Sequence, residues 1–125
     1  MPERKIIAKA PSPSMPFSKV VGYGDLIFIS GLIGVNSETG GIASDIEGQT
    51  KQAMENVRSA LEVAGVSLDH ILKATVFIVD MKLCQEMNQI YRSFFAGDPP
   101  ARSCVEVSAL PNPKALVEIE VVAGR

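Results

Sequence analysis

One arginine and two glutamates stand near the C-terminus in two segments that both show the alternating pattern of β-strands. Arg102 begins the first segment, residues 102–108, and Glu118 and Glu120 lie in the second, residues 115–123. A guanidinium group presents a planar set of donors that matches a carboxylate in two hydrogen bonds. A glutamate removed from water has a raised pKa and can transfer protons near neutral pH. These residue types predict a site that binds an organic acid and moves a proton.

The alternation also predicts which of these side chains share a face. Because successive strand residues point to opposite sides, Arg102 and Cys104 lie on one face of their strand. Glu118 and Glu120 likewise share one face of the last strand. If the two strands are neighbours in the sheet, one of the glutamates lies near Arg102 or Cys104. Two interpretations of Arg102 then stay open: it binds a substrate carboxylate, or it forms a structural ion pair with a glutamate.

The chain offers few groups for nucleophilic or metal chemistry. His70 is its one histidine, which leaves a catalytic triad or a histidine-based zinc site without the residues it needs. Cys84 and Cys104 form no C-x-x-C motif, so we expect two free thiols. A cysteine within a strand is usually a small buried apolar residue. No histidine lies near Cys104 in the sequence to activate it as a nucleophile.

Size and composition favour one globular domain over residues 1–125. Apolar residues make up 46% of the chain and charged residues 21%, which is typical of globular proteins. The net charge of −2 and the lack of Trp indicate neither a basic surface nor a base-stacking platform, so nucleic acid is not an expected partner. The sequence shows no signal-peptide pattern and no apolar run that would span a membrane, and we expect a cytoplasmic protein.

Hydrophobic periodicity and turn residues predict the element order β-β-β-α-β-α-β-β. A capping box at residues 44–47 begins the first helix, and Gly65 ends it. Asp80 caps the second helix, which ends by Gly97. This order is typical of an α+β domain in which two helices lie on one face of a mixed sheet. Strands are predicted at residues 4–8, 17–21, 26–30, 72–79, 102–108 and 115–123.

Two of the predicted strands are apolar on both faces. Residues 26–29 and 76–79 contain only apolar side chains, although two helices can cover only one face of the sheet. The second face needs another partner, and further copies of the same chain supply one most simply. The pattern therefore predicts an obligate oligomer.

The segments at residues 100–107 and 117–120 together resemble the signature of the RidA/YjgF family. A proline, a small residue, an arginine and a small residue lead into an apolar strand, and Glu118 and Ile119 follow in the next strand. The resemblance extends over residues 5–122. It implies a chorismate-mutase-like homotrimer with active sites in clefts between subunits. It also implies hydrolytic deamination of 2-imino and 2-amino-2-enoic acids, such as 2-aminoacrylate, to 2-oxo acids and ammonia, without a metal or cofactor.

The resemblance assigns roles to several residues. Arg102 stands where family members hold the substrate carboxylate, and Glu118 matches a glutamate that handles water or a proton. Cys104 lines the pocket, and its backbone helps to hold the ligand. Asn88 matches an asparagine whose side chain points into the cleft. Exposure of Asn88 on the polar side of its helix is the alternative.

Other positions in the resemblance concern the floor and wall of the cleft. Ser30 and Gly31 match the Ser-Gly pair at the pocket floor, whereas Phe17 stands where deaminating members have Tyr. The missing hydroxyl favours one alternative function, a non-catalytic or chaperone-like trimer that binds 2-oxo acids. Another alternative is an endoribonuclease that inhibits translation, an activity attributed to some relatives. The acidic net charge argues against that activity.

Overall fold

The computed structural model describes residues 2–125. These residues form a six-stranded mixed sheet with two helices on one face. The element order agrees with the order predicted from the sequence. The strands are β1 (Arg4–Lys9), β2 (Ser18–Tyr23), β3 (Leu26–Ile33), β4 (Ile71–Ile78), β5 (Ala101–Glu106) and β6 (Val117–Gly124). The helices are α1 (Ile46–Val63) and α2 (Cys84–Ser93), and short 3-10 turns at Leu68–His70 and Met81–Leu83 precede β4 and α2.

The sheet has the strand order β1-β2-β3-β6-β4-β5. All neighbouring strands are antiparallel except β4 and β5, which are parallel and joined through α2. A parallel pair needs such a crossover, because a hairpin can connect only antiparallel strands. β4 therefore separates β5 from β6, and the last two strands of the chain are not neighbours. This order decides where the predicted site residues lie.

Helix ends follow local capping rules, with one shift from the expected position. Asp45, rather than Ser44, is the N-cap of α1, and its Oδ1 accepts a hydrogen bond from the Gly48 N–H at 3.0 Å. Both residue types cap helices well, so the sequence alone did not decide between them. Gly65 follows α1 with φ +79°, the left-handed conformation that ends many helices. Asp80 caps the 3-10 turn that leads directly into α2.

The core lies between the sheet and the two helices, and the opposite face of the sheet is open. Alternate residues of β3, β4 and β6, including Ile27, Val76 and Ile119, are fully buried under the helices. We call the other side the open face. The side chains of Leu26, Phe28, Leu72 and Val105 on the open face are 38–54% exposed. The apolar second face predicted from the sequence is therefore present, and nothing within residues 2–125 covers it.

A buried amide ties the loop before β6 to α1. Gln49 is 1% exposed and donates hydrogen bonds to the carbonyl groups of Ala43 and Lys114 at 2.8 and 2.9 Å. Its Oε1 accepts from the Leu116 N–H at 2.7 Å. Because β6 begins at the next residue, these bonds determine where that strand enters the sheet, and hence where Glu118 lies.

Candidate active site

Arg102 lies at the edge of the sheet, on the face that the helices cover. Its guanidinium carbon is 4.9 Å from the centre of the Tyr91 ring on α2, and its Nη1 donates to Met87 Sδ at 3.9 Å. Within residues 2–125 the one salt bridge joins Arg58 and Glu55, so the half-buried Arg102 has no carboxylate partner there. Most of its N–H donors thus remain available to a ligand.

Cys104 lies near this arginine, and Cys84 and Asn88 extend the group through their contacts with Cys104 and with each other. Burial raises the pKa of Cys104, and the neighbouring Cys84 raises it further through charge repulsion and a hydrogen bond, whereas the positive charge of Arg102 lowers it. Both thiols are free. Asn88 Nδ2 donates to Cys84 Sγ at 3.5 Å, and its Oδ1 is buried without a partner in the described chain. The raised pKa keeps Cys104 protonated at neutral pH, which does not suit a nucleophile.

We call this group the arginine cluster, and one of its members was missed in the sequence. In the sequence, Tyr91 belongs to the apolar pattern of α2 and does not stand out as a site residue. Its ring is 4% exposed and packs against Phe95 with the ring centres 5.1 Å apart. The spacing of Tyr91 three residues after Asn88, on the same side of the helix, was the signal available. The cluster consists of Cys84, Met87, Asn88, Tyr91, Arg102 and Cys104.

Glu118 lies in a second group on the open face. A Cβ atom at Gly31 would lie 2.6 Å from Glu118 Oε2, so only glycine permits the carboxylate to approach this closely. Gly31 and Ser30 form an irregularity in the pairing of β3 with β6, and Ser30 Oγ donates to the Ser18 carbonyl at 2.7 Å. Phe17, directly before Ser18, is 49% exposed. We call Phe17, Ser30, Gly31 and Glu118 the glutamate cluster.

The environment of Glu118 favours its neutral form. Burial raises the pKa of this carboxyl above its usual value, and the negative charge of Glu120 on the same face raises it further. The two glutamates share a face, as the alternation predicted, and Glu120 is exposed whereas Glu118 is half-buried. A carboxyl with a raised pKa is suited to exchange protons with a substrate or water.

The two clusters lie on opposite faces of the sheet within one chain. Arg102 pairs with Ala74, which pairs with Val121 under the helices, whereas Glu118 pairs with Phe77 on the open face. Residues directly opposite each other in a sheet share a face. The expectation of a glutamate beside Arg102 required β5 and β6 to be neighbours, and they are not. The structural ion pair considered for Arg102 is likewise absent from the described residues.

Two surface cavities, of about 360 and 340 Å³, lie away from both clusters. Residues such as Lys5 and Arg125 line the first, and residues such as Lys51 and Phe94 line the second. Within the described residues, no three His, Cys, Asp or Glu side chains are grouped as metal ligands. No helix in residues 2–125 has the length and apolar character of a membrane span.

Comparison with known proteins assigns the family. A family model described as endoribonuclease L-PSP matches residues 7–124. The crystal structure of a Rid family protein from Yersinia pestis has a TM-score of 0.90 at 42% identity, covering 98% of this chain and 100% of that one. The chain belongs to the RidA/YjgF family.

Two relatives within the RidA/YjgF family are informative. A RutC family protein of Pyrococcus horikoshii is 43% identical over 115 residues, covering 91% of this chain and 90% of that protein. A protein of Escherichia coli named 2-iminobutanoate/2-iminopropanoate deaminase is 39% identical over 119 residues, covering 93% of this chain and 92% of that protein. An imine deaminase is therefore among the proteins that this RidA/YjgF chain resembles along most of its length.

Proposed function

We propose that this RidA/YjgF chain hydrolyses 2-imino and 2-amino-2-enoic acids to 2-oxo acids and ammonia. The observation that carries the proposal is a half-buried arginine held against an aromatic ring without a carboxylate partner in residues 2–125. A guanidinium group in this state is prepared to bind a carboxylate with two charge-assisted hydrogen bonds. The imine deaminase among the relatives identifies a class of acid that such a site would hold.

The second part of the proposal is that the active site forms between copies of the chain in a homotrimer. The arginine cluster and the glutamate cluster lie on opposite faces of one sheet, so a single chain does not combine them. The open face carries exposed apolar side chains, among them Phe28 and Val105, and burial of these on another copy stabilises an oligomer. Association that sets one copy's arginine cluster beside the next copy's glutamate cluster completes the site.

In the proposed reaction Arg102 binds the substrate carboxylate and thereby positions the imine carbon. The oxygen of a water molecule bonds to that carbon while the C=N bond becomes single, and Glu118 accepts one proton from the water and passes it to the nitrogen, which gives a carbinolamine. The C–N bond then breaks while the hydroxyl group loses its proton to Glu118, so that the carbonyl group of the 2-oxo acid forms, and Glu118 passes this second proton to the nitrogen, which leaves as ammonia. One water molecule is consumed for each imine.

Modest assistance is enough for this reaction, because such imines already hydrolyse in water. Orientation of the two reactants contributes by converting an encounter in solution into a step within one complex. General acid–base catalysis by Glu118 contributes a further factor of about 10²–10⁴. Cys104 and Asn88 would line the pocket beside Arg102, and Ser30 and Gly31 would form its floor beside Glu118.

The test is the lifetime of freshly generated 2-aminoacrylate with wild-type protein and with Arg102→Ala. We expect wild type to shorten the lifetime and Arg102→Ala to lose activity by about a hundredfold. Arg58→Ala is the matched control, because Arg58 also stacks on an aromatic ring, 5.2 Å from the centre of Phe94, but lies outside both clusters. A lifetime that wild type leaves unchanged, or equal loss in both variants, would contradict the proposal.

A second candidate function is the binding of 2-oxo acids without turnover. Phe17 supports it, because the exposed ring lacks a hydroxyl group that would hold a water molecule or the imine nitrogen. A binding protein would take up 2-oxobutanoate yet leave the imine lifetime unchanged. A ribonuclease assay with wild-type protein and Arg102→Ala tests the endoribonuclease activity named in the family description. Cleavage that Arg102→Ala abolishes would support that activity.

A further inference from the structure

Tyr91 on α2 packs in the core, and its ring also contacts a cation. The residue is 4% exposed, and its ring centre lies 5.1 Å from that of Phe95, which is 5% exposed. The guanidinium carbon of Arg102 lies over the same ring, 4.9 Å from its centre. The Tyr91 hydroxyl is buried without a hydrogen-bond partner in the described residues. The ring face, rather than the hydroxyl, is therefore the part of Tyr91 that can act on Arg102.

We infer that Tyr91 is the positioning residue for Arg102, holding the guanidinium in its carboxylate-binding orientation while leaving its charge unneutralised. This inference rests on the proposed function of Arg102 as the substrate anchor. It adds a residue on α2, and it makes the aromatic ring rather than an ion pair the support of the anchor.

An arginine side chain can be held in place either by a carboxylate or by an aromatic ring. A long side chain on an edge strand samples many rotamers unless a neighbour restrains it. A carboxylate would restrain Arg102 but would also occupy the donors and cancel the charge that a substrate needs. The face of an aromatic ring attracts the cation without using its N–H groups. Tyr91 at 4.9 Å supplies that face, and Met87 Sδ at 3.9 Å accepts from a single nitrogen.

Electrostatic coupling between the two residues supplies an independent readout. Burial raises the pKa of Tyr91, and the positive charge of Arg102 lowers it. Loss of that charge should therefore raise the pKa of Tyr91 further. A bound carboxylate that offsets the charge should act in the same direction. Because the chain has two tyrosines and no tryptophan, Tyr23→Phe leaves Tyr91 as the one source of tyrosinate absorbance.

The first experiment compares Tyr91→Leu, Tyr91→Phe and Phe95→Leu by the Kd for 2-oxobutanoate and the KM for 2-aminoacrylate. Removal of a partly desolvated cation–π contact should weaken both by about five- to thirtyfold in Tyr91→Leu. Tyr91→Phe keeps the ring and should restore both constants nearly to wild type. Phe95→Leu is the matched control, because it loses the same contact between Tyr91 and Phe95 but leaves the Tyr91 ring in contact with Arg102.

Equal Kd values for Tyr91→Leu and Phe95→Leu would overturn the inference, since the ring would then act only in the core. If the wild-type protein does not hydrolyse imines but Tyr91→Leu still weakens its binding of 2-oxobutanoate, the proposed reaction is wrong and the positioning role of Tyr91 stands. If the wild-type protein hydrolyses imines and Tyr91→Leu leaves the kinetics unchanged, the proposed reaction stands and the role of Tyr91 is wrong.

The second experiment does not depend on Tyr91→Leu folding. In the Tyr23→Phe background, ultraviolet titration follows the ionisation of Tyr91 with Arg102 present and with Arg102→Ala. We expect a higher ionisation midpoint in Arg102→Ala, and a higher midpoint on addition of 2-oxobutanoate to the protein that retains Arg102. Identical midpoints with and without Arg102 would show that the two groups do not interact in solution, which contradicts the inference.

Discussion

Replacement of Arg102 by lysine keeps a positive charge at the sheet edge but removes the planar arrangement of donors. Lysine is a compact charge on a flexible stem, so it can hold a carboxylate by attraction but not by two parallel hydrogen bonds. The loss of charge-assisted hydrogen bonding is worth roughly 1.5–3 kcal/mol. By transition-state arithmetic this corresponds to a fall of about ten- to a hundredfold in kcat/KM. The Kd for the 2-oxo acid product should rise in parallel, because substrate and product share the carboxylate.

The same substitution should change stability little. In the described residues Arg102 forms no ion pair, and its side chain contacts the Tyr91 ring and the Met87 sulfur. Loss of these contacts at a half-exposed position is worth about 0.5–1 kcal/mol, which lowers the melting temperature by a few degrees. Kinetics with 2-aminoacrylate and thermal melting of the same preparation measure both effects.

Arg58 provides the matched control for Arg102→Lys. Arg58→Lys alters an arginine that stacks on Phe94 and forms an ion pair with Glu55, and it should retain full activity. A strongly destabilised but fully active Arg102→Lys would refute the assignment of Arg102 as substrate anchor. It would also mean that the guanidinium group has a structural role beyond its contacts with Tyr91 and Met87.

Three further predictions test other parts of the proposed site. Glu118 must be ionised to accept a proton, and burial raises its pKa above the usual value of a glutamate. Activity should therefore increase with pH as Glu118 ionises, and this increase should lie at a higher pH than the usual pKa of a glutamate. Glu118→Gln should remove that increase and lower kcat about a hundredfold or more, and an unchanged pH profile would exclude Glu118 as the proton acceptor. Phe17→Tyr should leave the melting temperature unchanged and alter turnover or substrate preference. Indistinguishable kinetics on several imino acids would make Phe17 a packing residue. Sedimentation should give three times the 13.4 kDa chain mass, with a smaller species for Val105→Lys on the open face, and a wild-type monomer at micromolar concentration would contradict the intersubunit site.

Local rules in the sequence were sufficient for the secondary structure and for the open face. Gly65 and Asp80 mark helix boundaries because backbone conformation and capping depend on a few adjacent residues. Period-two alternation correctly placed Arg102 with Cys104 and Glu118 with Glu120, because consecutive strand residues always point to opposite sides. Segments apolar on both faces indicated that the helices leave one face uncovered. The resemblance of residues 100–107 and 117–120 to RidA/YjgF proteins indicated the family.

Only the tertiary structure decided how these pieces combine. The alternation assigns residues to the same face of a strand, but it does not say which face of the sheet that is, or which strand lies alongside. β6 inserts between β3 and β4, and this pairing sends Glu118 to the open face and Arg102 beneath the helices. Strand pairing and helix packing depend on contacts between residues distant in the sequence, and helix packing also brings the Tyr91 ring against Arg102. The free energy of strand pairing and helix packing comes from contacts between segments, so the pattern within one segment does not predict them.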